Sequence, residues 1–413
     1  MSAVGNRVVL LLYIQVIWFV ISFVTNILGP LMPLIIDGFH LSLTLAGFLP
    51  FSFFLAYGLV SVPAGMLIER VGPKRCLLLA LATNGVAAAA FALHPGYWTA
   101  VPALFVIGTG MAMLQVVLIP LTRVAGGEAH LAFYSVLGQL VFGLGSFVSP
   151  LVFSAWMDSL SGGHAASWLQ ALSPADFPWV GLYWLFAAGF AAAVLCTGVI
   201  RVPRVDLTED ERAGTLAVYQ ELLRDKHVRL YFVGIAAYVG TEQSLANWMS
   251  QFLATYHGAS PLTVGATTVS RFWGLMSVGC LLGLLLLKVF DSRVVLRGAV
   301  VLAMGSVLLA LLGPAATSAW AFASCGFFLS VMFSIVASLG LNSVPHHHGA
   351  MSGILCSGIL GGAIVPLVVG ALGEVIGLRS AMFAVLVTLA YLLSISFWAR
   401  PLVNNATWRT EPA

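Results

Sequence analysis

Apolar residues dominate the chain in runs of about 20 or more, broken by short polar segments that carry most of the charge. Each run is long enough to cross a bilayer as a helix. The pattern predicts twelve spans, near 8–36, 42–68, 76–94, 97–124, 130–157, 179–200, 228–256, 262–289, 294–313, 317–342, 349–376 and 379–400. The fold class is therefore an all-α membrane protein of twelve transmembrane helices. Between spans six and seven lies the longest polar segment, 201–227, acidic from Asp206 to Glu211 and then helical in pattern with a basic end. It reads as a partly helical linker on the cytoplasmic membrane surface. Six spans precede it and six follow, giving an N-terminal bundle (1–200) and a C-terminal bundle (228–413). A long outer loop, Asp158 to Pro178, is rich in Ser, Gly and Ala and is expected to cover the mouth of the first half.

Composition agrees. The 413 residues are 60% hydrophobic and 8% charged, against roughly 25% charged for a soluble domain. The first apolar run, from Val8, is too long for a cleavable signal peptide and lacks a small-residue cleavage pattern. The five cysteines fall in or beside apolar runs, with no disulfide or metal spacing. The net charge of +3 says little, but its distribution does. With both termini cytoplasmic, Arg70, Lys74, Arg75, Arg201, Arg224, Lys226, Lys288, Arg293 and Arg400 all fall inside, and the outer side keeps only Arg379. A multi-pass protein of the plasma membrane is expected, surrounded by lipid and without nucleic-acid partners.

The halves echo each other. "GMLIERVGPKR" (Gly65 to Arg75) follows span two, and "GLLLLKVFDSR" (Gly283 to Arg293) follows span eight, with bases at matching places. "GSFVSPLV" from Gly145 and "GGAIVPLV" from Gly361 match at nearly the same offset. Two pseudo-symmetric six-helix halves imply a carrier with its site at the midplane between them.

Glu242 stands in the middle of span seven, where a buried carboxylate costs a few kcal/mol even on lenient insertion scales and so should face a cavity or a partner. Gln243, Asn247 and Ser250 form a helical stripe with Trp248 beside it, and Glu242 lies roughly 80–100° away. On that phase the amides face the cavity and Glu242 points to an adjacent helix. Arg271 is the other ionisable group well inside a span, within about 7–8 Å of the same height. Two readings stay open: Glu242 carries the coupling proton or receives substrate hydroxyls, or it forms a structural ion pair with Arg271. Asn26, Gln115, Gln139, Asn342, Trp273 and Tyr57 complete the intramembrane polar and aromatic set. Neutral amides with tryptophan suit a sugar, whose hydroxyls need paired donors and acceptors and whose C–H faces stack on rings. The run His346–His348 cannot share one helical face and reads as a solvated loop. No phosphate-cradling loop, nucleophile–base set or zinc spacing appears, so no enzyme is indicated.

"GMLIERVGPKR" resembles the loop signature of the major facilitator superfamily, with Gly65, Glu69, Arg70, Lys74 and Arg75 in its places. The resemblance implies that these residues gate one face through charge-assisted contacts at helix ends. "YVGTEQSLANW", "FSIVASLGLN" and "SGILGGAIVPLVVGALGEVIG" are similar to the fucose–proton symporter family within it. That family imports hexoses with a proton or sometimes sodium. Where its fucose carriers have an acid in span one and another in span four, this chain has Gly29, close to Asn26, and Gln115; Cys280 stands where the family has a span-eight arginine. Glu242 matches the span-seven carboxylate of glucose-type members. The resemblance implies proton-coupled uptake of a neutral hexose by a monomer with no cofactor, sugar contacts at Asn26, Gln115, Gln139, Gln243, Asn247, Trp248, Trp273 and Asn342, and coupling through Glu242 and Arg271. Sodium coupling, facilitated diffusion, or export of drugs or lipids on the same fold remain as alternatives.

Overall fold

The computed structural model describes residues 3–126, 131–161, 166–203, 216–400 and 402, and these are almost wholly helical. Eleven helical segments are long and apolar enough to cross a membrane. The twelfth span, helix Lys226–His257, is the exception to that apolarity, because it carries Glu242, Gln243, Asn247 and Gln251 along one length. It can afford them because most of its residues are buried by neighbouring helices and not offered to lipid. Asp225 caps its start, accepting from the His227 N–H at 2.7 Å, and Gly258, at φ +63°, ends it in a left-handed turn.

Three spans are interrupted halfway. Span one consists of helices Ala3–Thr25 and Leu28–Phe39, because Pro30 has no N–H to offer the Asn26 carbonyl and its ring crowds that carbonyl. Span ten divides into Ala315–Leu329 and Met332–Leu341, and span eleven into His348–Ser357 and Gly361–Ile376 around a short 3₁₀ turn. Spans two and three are joined through a single residue, Gly72, whose φ of +85° no side chain tolerates well; Pro73 then opens the next helix.

Arg70, Lys74, Arg75, Lys288 and Arg293 gather at one end of the bundle, here the basic end. Spans two and eleven, one and seven, and five and eight form the seam between the first six spans and the last six. Of the linker, helix Leu216–Arg224 is described, with Tyr219 buried against Gly353 of span eleven. The acidic stretch Asp206–Glu211 lies outside the described residues. In the loop of Asp158 to Pro178, Phe177 packs on Phe39 at 4.9 Å between ring centres, tying the loop to the end of span one. The histidine run is exposed at His346 and His347, and His348 starts a helix. Among the described residues no cluster could hold a metal.

Candidate functional site

A cavity of about 420 Å³ lies between the halves at the level of the helix breaks. All three interruptions reach it: Thr25 and Asn26 from span one, Ser330 and Val331 from span ten, Ile359 from span eleven. Its lining runs toward the basic end as far as Leu287, near the end of helix Ala266–Val289. Toward the opposite end it is closed. The Ser270 hydroxyl donates to the Phe147 carbonyl at 2.8 Å, one turn beyond the cavity, and the Ser154 hydroxyl to the Leu262 carbonyl at 2.6 Å further out. Spans one and seven touch at backbone distance: a Cβ on Gly29 would collide with the Ala246 carbonyl oxygen.

Among the described residues, Glu242 is the only acid that lines the cavity and no base lines it. The Tyr238 hydroxyl donates to its Oε2 at 2.6 Å, and the Gln243 side-chain amide donates to its Oε1 at 3.1 Å. Tyr238 sits one turn before Glu242, so both project from the same face of the helix. Facing them across the cavity are Asn26, Gln115 and Gln139. Asn26 spends its Nδ2 on the Ser22 carbonyl (3.1 Å) and the Ser146 hydroxyl (2.8 Å), which leaves Oδ1 to accept. Gln115 and Gln139 make no side-chain hydrogen bond within the described residues. The Trp273 indole lines the cavity at 2% exposure, and its N–H has no partner there. A buried N–H without an acceptor costs free energy, and because this one has almost no accessible surface the ring must shift before an oxygen in the cavity can reach it. Aromatic faces of Trp18, Phe54 and Tyr57 complete the first-half wall.

Several expectations need correcting. Arg271 does not meet Glu242: its guanidinium lies on the Trp320 ring, 4.4 Å from the centroid, on the exposed outer face of spans eight and ten. The structural ion pair is therefore absent, and Arg271 is not part of the site. The rotation of span seven is also one position off. Glu242 faces the cavity together with Gln243, whereas Asn247 lies past its closed end, bonding the Gln243 carbonyl at 2.8 Å. Trp248 is fully buried and donates to the Pro366 carbonyl at 3.0 Å, holding span seven to span eleven. Asn342 caps span ten at the basic end, its carbonyl accepting from the Leu402 N–H at 2.8 Å, far from the cavity. In the loop after span two, Lys74 does not reach across the seam. It donates to the Gly198 and Ile200 carbonyls at 2.8 and 2.9 Å, capping the end of span six within the same half. Gly65 is half-buried, Arg70 and Arg75 are exposed, and the Glu69 side chain lies outside the described residues. Sequence reasoning overlooked Tyr238, although its spacing of four from Glu242 on a helix was the available signal.

Comparisons with known proteins agree with this architecture. A family model described as Major Facilitator Superfamily matches residues 16–356. The chain is 31% identical over 384 residues to a glucose/galactose transporter of Brucella abortus, covering 92% of this chain and 91% of the relative. It is 21% identical over 376 residues to the L-fucose-proton symporter of Escherichia coli, covering 87% and 86%. Among solved structures, a variant of the Escherichia coli fucose:proton symporter superposes with a TM-score of 0.68 at 19% identity over 96% of this chain and 99% of that one. A bacterial homologue of the human lysosomal transporter Spinster superposes with a TM-score of 0.76 at 16% identity over 97% of each chain.

Proposed function

The chain belongs to the major facilitator superfamily, and from that premise we propose that it imports a neutral hexose, of the glucose or galactose type, together with a proton. It is a multi-pass membrane transporter and not an enzyme. The observation that carries the proposal is the cavity itself: one carboxylate, Glu242, among amides, hydroxyls and indoles, with no base beside it among the described residues. An uncharged substrate fits such a lining, because a site with a single acid and no cation offers nothing to neutralise an anion and little to hold a large cation. Gln115, Gln139, the Asn26 oxygen and the Trp273 N–H supply donors and acceptors at separated points, as ring hydroxyls require. The aromatic walls supply surfaces for the C–H faces.

In this reading Glu242 takes up and gives back the coupling proton. Tyr238 and Gln243 donate to its two oxygens and hold it in place while its charge changes. The basic end is cytoplasmic, in keeping with the positive-inside rule, both termini lie on that side, and the bilayer is the plasma membrane. A single chain encloses the whole cavity, so a monomer suffices, and no cofactor is needed beyond the coupling ion. The relatives named for glucose, galactose and fucose support the sugar class. The test is uptake by purified protein in vesicles across a panel of hexoses, with a pH gradient, a sodium gradient or neither. Hexose accumulation driven by the pH gradient alone is expected. Accumulation that follows sodium and ignores pH, or an absence of hexose flux, would overturn the proposal.

A further inference from the structure

At the closed end of the seam, one inter-half contact differs from the rest. Glu374, near the end of helix Gly361–Ile376 in span eleven, reaches across to the start of span two. Its Oε2 accepts from the Thr44 backbone N–H at 3.3 Å and from the Thr44 hydroxyl. Thr44 is the second residue of helix Leu43–Val71. The first N–H groups of a helix have no partner within it. Here Ser42 Oγ accepts from the Leu45 N–H at 3.3 Å, and the Ala46 N–H bonds the Ser42 carbonyl at 3.0 Å. The Thr44 N–H is left over, and a carboxylate from the other half of the protein takes it. The positive end of the helix dipole favours a negative group at that place. Two other hydrogen bonds cross the closed end among the described residues, from Ser154 and Ser270, and both join neutral hydroxyls to carbonyls. Among the described residues the Glu374 contact alone carries charge, and it is exposed, so water can replace each partner as it leaves.

We propose that Glu374 is a latch that holds the two halves together at the end opposite the basic loops, and that release of Thr44 is a step in opening the cavity to that side. The proposal rests on the carrier reading above, since only a protein that opens alternately at both ends needs such a catch. The contact can break at little cost: its groups lie at the surface, on two elements that separate when the halves rock apart, so water can serve both once they part.

Cys280 provides the readout, because it lines the cavity. In protein retaining only this cysteine, reconstituted in vesicles of known orientation, a membrane-impermeant thiol reagent is added to one face at a time. From the face opposite the basic end, Glu374→Ala is expected to speed modification of Cys280 about tenfold, equivalent to ~1.4 kcal/mol. Thr44→Val, which removes the hydroxyl bond and keeps the backbone N–H, should speed it by a smaller factor. From the basic face the rate should fall in both variants, which separates a shifted equilibrium from general loosening. Thr44→Ser, which keeps the hydroxyl, should behave as wild type. The double variant Glu374→Ala/Thr44→Val should match Glu374→Ala, since the Thr44 hydroxyl has nothing to donate to once the carboxylate is gone. Unchanged rates, rates that rise from both faces, or additive effects in the double variant would overturn the latch. Hexose flux measured on the same vesicles judges the carrier reading separately: normal flux with unchanged labelling removes the latch alone.

Discussion

Replacing Glu242 with glutamine removes one charge and no heavy atom, so its consequences can be worked from the geometry. Two donors now serve two oxygens, the Tyr238 hydroxyl at 2.6 Å and the Gln243 amide at 3.1 Å. In Glu242→Gln the remaining oxygen keeps one donor. The new amide NH₂ faces the other position, where the Tyr238 hydroxyl can turn to accept from it. The loss is thus one exchanged hydrogen bond, about 1 kcal/mol, and hexose binding should weaken by roughly fivefold or less. Coupling should fail altogether, because an amide does not titrate in this range. A pH difference of about one unit supplies ~1.4 kcal/mol per proton, enough for about tenfold accumulation in one-proton symport. Vesicles holding the wild type should approach that ratio, and vesicles holding the variant should stop at equal concentrations on both sides. Exchange of labelled for unlabelled hexose, which needs no net proton movement, should survive. Accumulation by the variant at the wild-type ratio would refute the coupling role. Loss of exchange together with accumulation would refute the division of labour and make Glu242 a sugar ligand.

Three further outcomes follow from the same structure. Trp273→Phe removes an unpaired buried N–H while keeping an aromatic surface; the hexose concentration for half-maximal uptake should rise about five- to tenfold, the effect of one lost hydrogen bond, with little change in maximal rate. Gly326→Ala places a methyl group against the Phe272 carbonyl oxygen between spans eight and ten, and this overpacking should cost about 1–3 kcal/mol, read as a lower melting temperature in detergent. Asp291, in the turn before span nine, caps helix Ser292–Leu312 and accepts from Arg293, whose side-chain hydrogen bonds hold the carboxyl below its ordinary range. A depressed carboxyl stabilises the fold above its unfolded pKa of about 3.9 and loses that contribution as pH falls through its folded value. With the pair about one-third exposed, Asp291→Asn should cost roughly 0.5 kcal/mol at neutral pH. The wild-type and variant melting curves should then converge below about pH 4, and a constant gap at all pH values would contradict the assignment.

Span positions were legible in the sequence to within a few residues at most ends, because in a bilayer every backbone N–H and C=O must be paired within the segment and apolar length alone selects helices. The span-two loop was less legible: the pattern left 69–75 between the spans, whereas the helices run on to Val71 and from Pro73 with only Gly72 between them. Site residues were read less well. Asn26, Gln115, Gln139, Gln243 and Trp273 do line one cavity, but Asn247, Trp248, Asn342 and Arg271 looked no different in sequence and lie elsewhere. An amide or indole in an apolar run is polar by composition whether it lines the cavity, as Trp273 does, or serves a neighbouring carbonyl, as Trp248 does.

The sequence by itself determined that this chain is a bundle of membrane helices, where each begins, and that a carboxylate sits at mid-depth, because these depend on local apolarity and on turn residues. Only the tertiary structure decided which way each helix faces and how it is displaced along its axis. A rotation of one residue, about 100°, exchanges Glu242 for a neighbour at the cavity wall, and that rotation is fixed by contacts made far along the chain: Trp248 on Pro366 and Gly29 against Ala246.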